Sequence, residues 1–199
     1  MSKPALAFVE LFSIARGMLI VDQMIKKAPI ELLASGPVSS GKFTILVAGD
    51  VAEIDESYRL ALALAPPHLA GSVFLPQVAS AIIPGLRGDF VDLEADSLAI
   101  VETRSQASTI VSCDAALKGA EVQLLDLRIY KRLGGKGYFV VSGPLDQVEA
   151  AVEAATARLE AEQLLQSEII ARPHDESWDH FYRNPRLRSV RDSHRYLDD

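Results

Sequence analysis

A chain of 199 residues is long enough for one large domain or two small ones, and 49% hydrophobic residues supply a core, which excludes disorder as the main state. Lys and Arg number 20 against 27 Asp and Glu, and the net charge of −7 lacks the basic footprint of a nucleic-acid binder. A single cysteine, Cys113, permits neither an internal disulfide nor a cysteine-based zinc site and fits a reducing cytoplasm. The opening MSKPALAFVELF lacks a signal-peptide pattern and no run approaches the roughly 18 apolar residues of a membrane span, so a soluble intracellular chain is expected.

The chain repeats itself. Residues 5–34 set over 97–126, a shift of 92, share Leu6, Ala7, Val9, Glu10, Ser13, Ala15, Asp22, Lys26, Ala28, Leu32 and Leu33 with Leu98, Ala99, Val101, Glu102, Ser105, Ala107, Asp114, Lys118, Ala120, Leu124 and Leu125. Eleven identities in thirty exceed the roughly two that chance allows, which indicates duplication. Beyond this point the shift becomes 94, pairing Gly41-Lys42 with Gly135-Lys136, Val47 with Val141 and Gly49 with Gly143, so the second copy carries two extra residues before Gly135.

In chain order, Ala5 to Leu11 and Ser97 to Thr103 are short apolar runs that read as buried strands. Segments 15–28 and 107–120 have helical spacing, with Met18, Val21 and Ile25 on one face, and Pro29 helps to stop the first. Ile30-Glu-Leu-Leu-Ala and Val122 to Tyr130 return as strands. Gly-containing turns then lead into FTILVAG (43–49) and GYFVVSG (137–143), predicting a hairpin in each copy. Pro144 suits the first turn of a helix whose apolar face, Leu145, Val148 and Val152, runs to about Glu162. SVFL (72–75) and QSEIIAR (166–172) supply a last strand.

The order is β-α-β-β-α-β twice, an α+β sandwich of two tandem ferredoxin-like units. The expected organisation is a first domain over 1–83, a Pro- and Gly-containing linker over 84–96, a second domain over 97–174, and a tail over 175–199 with five Arg and four aromatics. That tail either lies along another surface or is partly disordered.

Gly36-Pro-Val-Ser-Ser-Gly41-Lys42 satisfies half of a phosphate-binding loop. Phe43 stands where a Ser or Thr must hold Mg²⁺, and a strand follows where a helix N-terminus must face the phosphates, so a hairpin turn is the better reading. His68, His174, His180 and His194 lack metal-ligand spacing. Cys113 stands at the repeat position of Val21, as a small core residue would. Glu10 and Glu102 recur at equivalent strand ends, as a repeated structural contact would rather than an acid/base pair. No catalytic constellation emerges.

ALAFVELFSIARGM with DQMIKKAPIELL, VSSGKFTILVAGDVAEI, SLAIVET with DAALKGAEVQLL, GGKGYFVVSG and IIARPH together resemble the bacterial microcompartment (BMC) shell domain, in unpermuted tandem. Within that family the chain is most similar to the tandem-domain trimeric type (BMC-T) of propanediol-utilisation compartments. The resemblance implies a structural protein rather than an enzyme: a homotrimer that forms a pseudohexagonal disc and tiles with hexameric and pentameric shell proteins, with neither nucleic acid nor lipid membrane as partner.

It also implies that the hairpin turns line a central pore. Val38, Ser39 and Ser40 would come from the first copy, with Lys131, Arg132, Leu133 and Gly134 in or beside the lining from the second. Lys131 and Arg132 either face the axis, favouring small polar or anionic metabolites, or turn outward to solvent. The propanediol-utilisation relative carries at the position of Ser39 a cysteine that binds an iron–sulfur cluster. A hydroxyl does not replace that thiolate, so no cluster or other cofactor is expected. At the tile edge, Lys26 and Lys118 match the family's edge lysine and Arg172, in Ala-Arg-Pro-His174, its edge arginine. Two rival readings are a ferredoxin-like small-ligand regulatory module and an enzyme using a cleft between the domains.

Overall fold

A computed structural model of the chain describes residues 4–38, 41–90, 96–129 and 133–179. The chain divides into two compact units, Met1–Val78 with Tyr130–Gly135, and Ala79–Ile129 with Lys136–Asp199. The first runs β1 (Ala5–Leu11), α1 (Ile14–Lys27), β2 (Glu31–Pro37), β3 (Phe43–Gly49), α2 (Val51–Leu64) and β4 (Leu69–Leu75). A short helix, α3 (Ile82–Leu86), precedes the second series: β5 (Ser97–Thr103), α4 (Gln106–Gly119), β6 (Gln123–Arg128), β7 (Gly137–Gly143), α5 (Leu145–Thr156), β8 (Leu164–Ile170) and α6 (Asp175–Trp178).

Each repeat forms a four-stranded antiparallel sheet, β2-β3-β1-β4 in the first and β6-β7-β5-β8 in the second. The two sheets share one register: Ala5 pairs with Gly49 and Leu6 with Leu75, while Ser97 pairs with Gly143 and Leu98 with Ile170. Duplication in sequence is thus duplication in structure, and the tandem ferredoxin-like order is the one the sequence predicts.

The central strands are apolar on both faces. In the first unit alternate residues Ala5, Ala7, Val9 and Leu11 join Ile45 and Val47 against Ile20 and Met24 of α1 and Ile54 and Ala61 of α2. Period-two alternation therefore aims one face of the sheet at the helices. Both first helices begin on a recurring serine: Ser13 Oγ accepts from the Arg16 N–H and Ser105 Oγ from the Ser108 N–H.

Where each first helix meets its sheet, the repeats solve one packing problem in opposite ways. A Cβ on Gly17 would lie 2.2 Å from Phe43 Cδ1, so the glycine makes room for the ring. At the matching positions the second repeat has Thr109 and Gly137, and a Cβ on Gly137 would lie 2.2 Å from Thr109 Oγ1. The small residue has changed sides, as close packing requires when the facing residue grows.

Several expectations are corrected. The buried face of α1 is Gly17, Ile20 and Met24, not Met18, Val21 and Ile25; Val21 packs partly against the core, whereas Met18 and Ile25 are exposed. Apolar residues occupy more than one face of this helix, so periodicity alone does not choose among them. Helix α5 ends at Thr156 rather than near Glu162, because the chain turns over 157–163, closed by the Gln163 N–H on the Glu160 carbonyl. Segment 84–96 begins inside α3, whose Gly85 and Leu86 are buried, so its first residues are packed structure rather than connector. Among the described residues no helix is long and apolar enough to cross a membrane.

Candidate functional site

The first hairpin turn, between β2 and β3, is closed by two backbone hydrogen bonds: the Val38 N–H donates to the Lys42 carbonyl and the Gly41 N–H to the Val38 carbonyl. Gly41 sits at φ 74°, a conformation open to glycine at little cost. In the second turn Gly134 and Gly135 take φ 63° and 91°. Of the expected pore residues, Val38, Leu133 and Gly134 are described, with Val38 and Leu133 half-buried. Ser39, Ser40, Lys131 and Arg132 lie outside the described residues.

The lysine of the phosphate-loop look-alike is committed elsewhere. Lys42 Nζ stands 3.0 Å from Glu10 Oε2 and 5.4 Å from the centroid of the Phe12 ring. Lys136 Nζ repeats the contact at 2.8 Å from Glu102 Oε1. The recurring glutamates are structural, as their duplication suggests. Each ties the end of a central strand to the residue that closes the hairpin turn, fixing where that turn leaves the sheet. Sequence comparison of the repeats found both partners but not their pairing, since they stand more than thirty positions apart.

Between β6 and β7 lies a polar cluster with no counterpart in the first repeat. Arg128 Nε donates to both oxygens of the buried Asp126, at 3.0 and 3.1 Å, and the Tyr138 hydroxyl donates to Asp126 Oδ2. It rivets β6 to β7 with charge-assisted bonds. The sequence analysis missed it, because the first repeat has Ala34, Gly36 and Thr44 at these positions.

The expected edge residues are all described. Lys26 Nζ lies 2.6 Å from Asp22 Oδ2 and Lys118 Nζ 2.5 Å from Asp114 Oδ2, each one helical turn away, so the Asp-x-x-x-Lys spacing forms a real ion pair in both copies. Arg172 is exposed in a left-handed conformation, φ 56°. His174 caps α6, its Nδ1 accepting from the Glu176 N–H. Strand register makes Arg172 the repeat equivalent of Gln77 and His174 that of Ala79, one residue away from the alignment of Ala-Arg-Pro-His with Leu75-Pro-Gln-Val.

No group of three or more His, Cys, Asp or Glu is placed to hold a metal among the described residues. Cys113 is wholly buried in α4, and burial, with the neighbouring Asp114 adding to it, pushes its thiol well above the ordinary range. The thiolate is therefore scarce at neutral pH. Thiol labelling of the folded protein at pH 7.5 is expected to run at least roughly a hundredfold slower than in denaturant. Comparable rates in the two states would mean that α4 does not bury this residue.

Comparison with known proteins decides among the readings left open. The BMC domain family matches residues 5–78 and again 97–173, one match per repeat. The chain is 35% identical over 176 residues to the bacterial microcompartment shell protein PduT of Citrobacter freundii, covering 87% of this chain and 95% of that protein. The carboxysome shell protein CcmK2 of Thermosynechococcus vestitus is 31% identical over 83 residues, 40% of this chain and 78% of its own length, about one repeat. Among solved structures, a microcompartments protein from Desulfitobacterium hafniense DCB superposes with a TM-score of 0.81 at 32% identity, covering 88% of this chain and 98% of that one. With both repeats matched and nearly the whole chain aligned, this protein belongs to the BMC-domain shell proteins of bacterial microcompartments, a family that is structural rather than catalytic.

Proposed function

We propose that three copies of this chain close into a pseudohexagonal tile, six BMC domains around one axis, set among hexameric and pentameric shell proteins in the microcompartment shell of a bacterial cytoplasm. The observation that supports it is the duplicated unit: two like domains repeated by threefold symmetry reproduce a six-sided outline while letting alternate positions differ. In this reading the two hairpin turns surround a pore lined by Val38, Ser39, Ser40, Leu133 and Gly134, with Lys131 and Arg132 giving it a preference for small polar or anionic metabolites. Lys26, Lys118, Arg172 and His174 lie toward the rim. Ser39 supplies no thiolate, so the pore carries no iron–sulfur cluster.

Native mass spectrometry of the purified protein is expected to give a trimer, and electron microscopy of overexpressing cells to show sheets, tubes or shells. A monomer with no ordered assemblies would overturn the tile. Anaerobic reconstitution with iron and sulfide is expected to leave the visible spectrum flat; an iron–sulfur absorption band would overturn the reading of Ser39.

A further inference from the structure

The two glutamate–lysine pairs at the bases of the hairpin turns stand in unlike surroundings. In the first repeat the side chains of Glu10 and Lys42 are 4% and 24% exposed, and the Phe12 ring lies beside the ammonium. In the second the pair is open to solvent, with Glu102 at 35% and Lys136 at 47%. A shielded pair holds its partners, whereas an exposed one is screened by salt and contributes little.

The residue next along each central strand differs in kind. Arg104 stands at the repeat position of Phe12, so a second cation replaces the ring. The register that pairs Thr103 with Gly137 sets Arg104 opposite Lys136, and strand alternation puts Glu102, Arg104 and Lys136 on one face of the sheet. Arg104 is exposed, and its guanidinium has no hydrogen bond or ion pair among the described residues. Two cations thus share one carboxylate, which is already bonded to Lys136. The turn they flank adds Lys131 and Arg132 in its sequence.

We propose that Arg104 and Lys136 bind a small oxyanion, a carboxylate or phosphate group, with Glu102 as the internal competitor that the anion displaces from Lys136. The guanidinium offers the fork that oxyanions accept two-pronged, and the ammonium supplies a second charge-assisted bond. Glu102 keeps Lys136 neutralised while the site is empty. The first repeat forms no such site, because Phe12 brings no charge and Glu10 is buried against Lys42. The inference rests on the pore proposed above and names where an anionic metabolite is held beside it, two residues from Gly134.

Isothermal titration of the full-length protein with inorganic phosphate at low ionic strength tests the site. Wild type is expected to bind saturably, while chloride at matched ionic strength gives no saturable heat. Arg104→Gln and Lys136→Gln are each expected to weaken phosphate binding at least about tenfold. Both side chains are exposed, so neither substitution threatens the fold. Lys27→Gln, which removes an exposed, paired lysine elsewhere, binds like wild type. Glu102→Gln is expected to bind phosphate about two- to fivefold more tightly, the size of an exposed ion pair. Unchanged or weaker binding by Glu102→Gln would overturn its role as competitor. A wild type without saturable phosphate binding, or an Arg104→Gln that binds equally well, would overturn the site, and a trimer by native mass spectrometry would leave the tile standing. A monomer that binds phosphate through Arg104 and Lys136 would keep the site and overturn the pore.

Discussion

Gly137→Ala is expected to cost about 2–4 kcal/mol, lowering the melting temperature of the chain by roughly 5–10 °C. The new methyl group would meet Thr109 Oγ1 at 2.2 Å and the Arg128 carbonyl oxygen at 2.8 Å. Neither yields easily: the carbonyl belongs to β6, and the threonine hydroxyl is held by Thr103 Oγ1 at 2.7 Å and the Ser105 carbonyl at 3.0 Å. Gly17→Ala is the matching lesion in the first repeat, where the Cβ would meet Phe43 at its Cβ as well as its ring. The sharper test trades partners. Gly17→Thr overpacks and Phe43→Gly leaves a cavity, but together they recreate the pairing that the second repeat already uses. The double variant is expected to be more stable than the sum of the single losses by about 1–3 kcal/mol. Strict additivity in thermal melts would mean that the two positions do not answer one another.

Trp178→Ala is expected to destabilise the second unit by about 3–4 kcal/mol. The indole is 2% exposed and packs on Leu98, Leu125 and Val140, with Ile100 and Tyr138 beside it. Leu98 and Ile100 alternate along β5 with Ala99 and Val101, whose repeat equivalents Ala7 and Val9 face the helices of the first unit. The tryptophan therefore caps the other face of the sheet. Truncation after Pro173 removes the same contact and is expected to cost a similar amount. Trp178 is the chain's one tryptophan, so its fluorescence reports the docking without labels: emission is expected in the blue range of a buried indole and shifts red with the melt. Red-shifted emission from the intact protein, or a truncated chain that melts like the full one, would mean that α6 is not docked.

The strands that could be read most accurately were those with the least freedom. Residues 5–11, 43–49, 97–103 and 137–143 are strands over the ranges their apolar runs indicate, because central strands buried on both faces admit few polar residues and end where polar ones return. Helix limits shifted more. The starts of α1, α4 and α5 fall within one residue of expectation, the first two capped by a serine, whereas α5 stops six residues early where the chain turns over 157–163. Helix α3 and the docking of Trp178 carry no periodic signal: one is five residues long, and the other is a single large side chain in a charged tail.

The site divides along the same line. The Asp-Lys spacing on α1 and α4 is a property of helical geometry, so the sequence showed it. The Glu10–Lys42 and Glu102–Lys136 pairs cross from one strand to another, so they follow only from the hairpin register. Met18 is exposed rather than in the core, and the sequence does not reveal this because an apolar side chain on a helix reads the same whether it faces the sheet or solvent.

By itself the sequence determined that this protein is a duplicated β-α-β-β-α-β unit, because identities at a fixed shift and short apolar runs are local properties of the chain. Only the tertiary structure decided which of two equivalent surfaces is already covered and which stands open. Burial depends on what the rest of the chain brings to a surface, and two segments of similar sequence, 14–27 and 106–119, receive different neighbours.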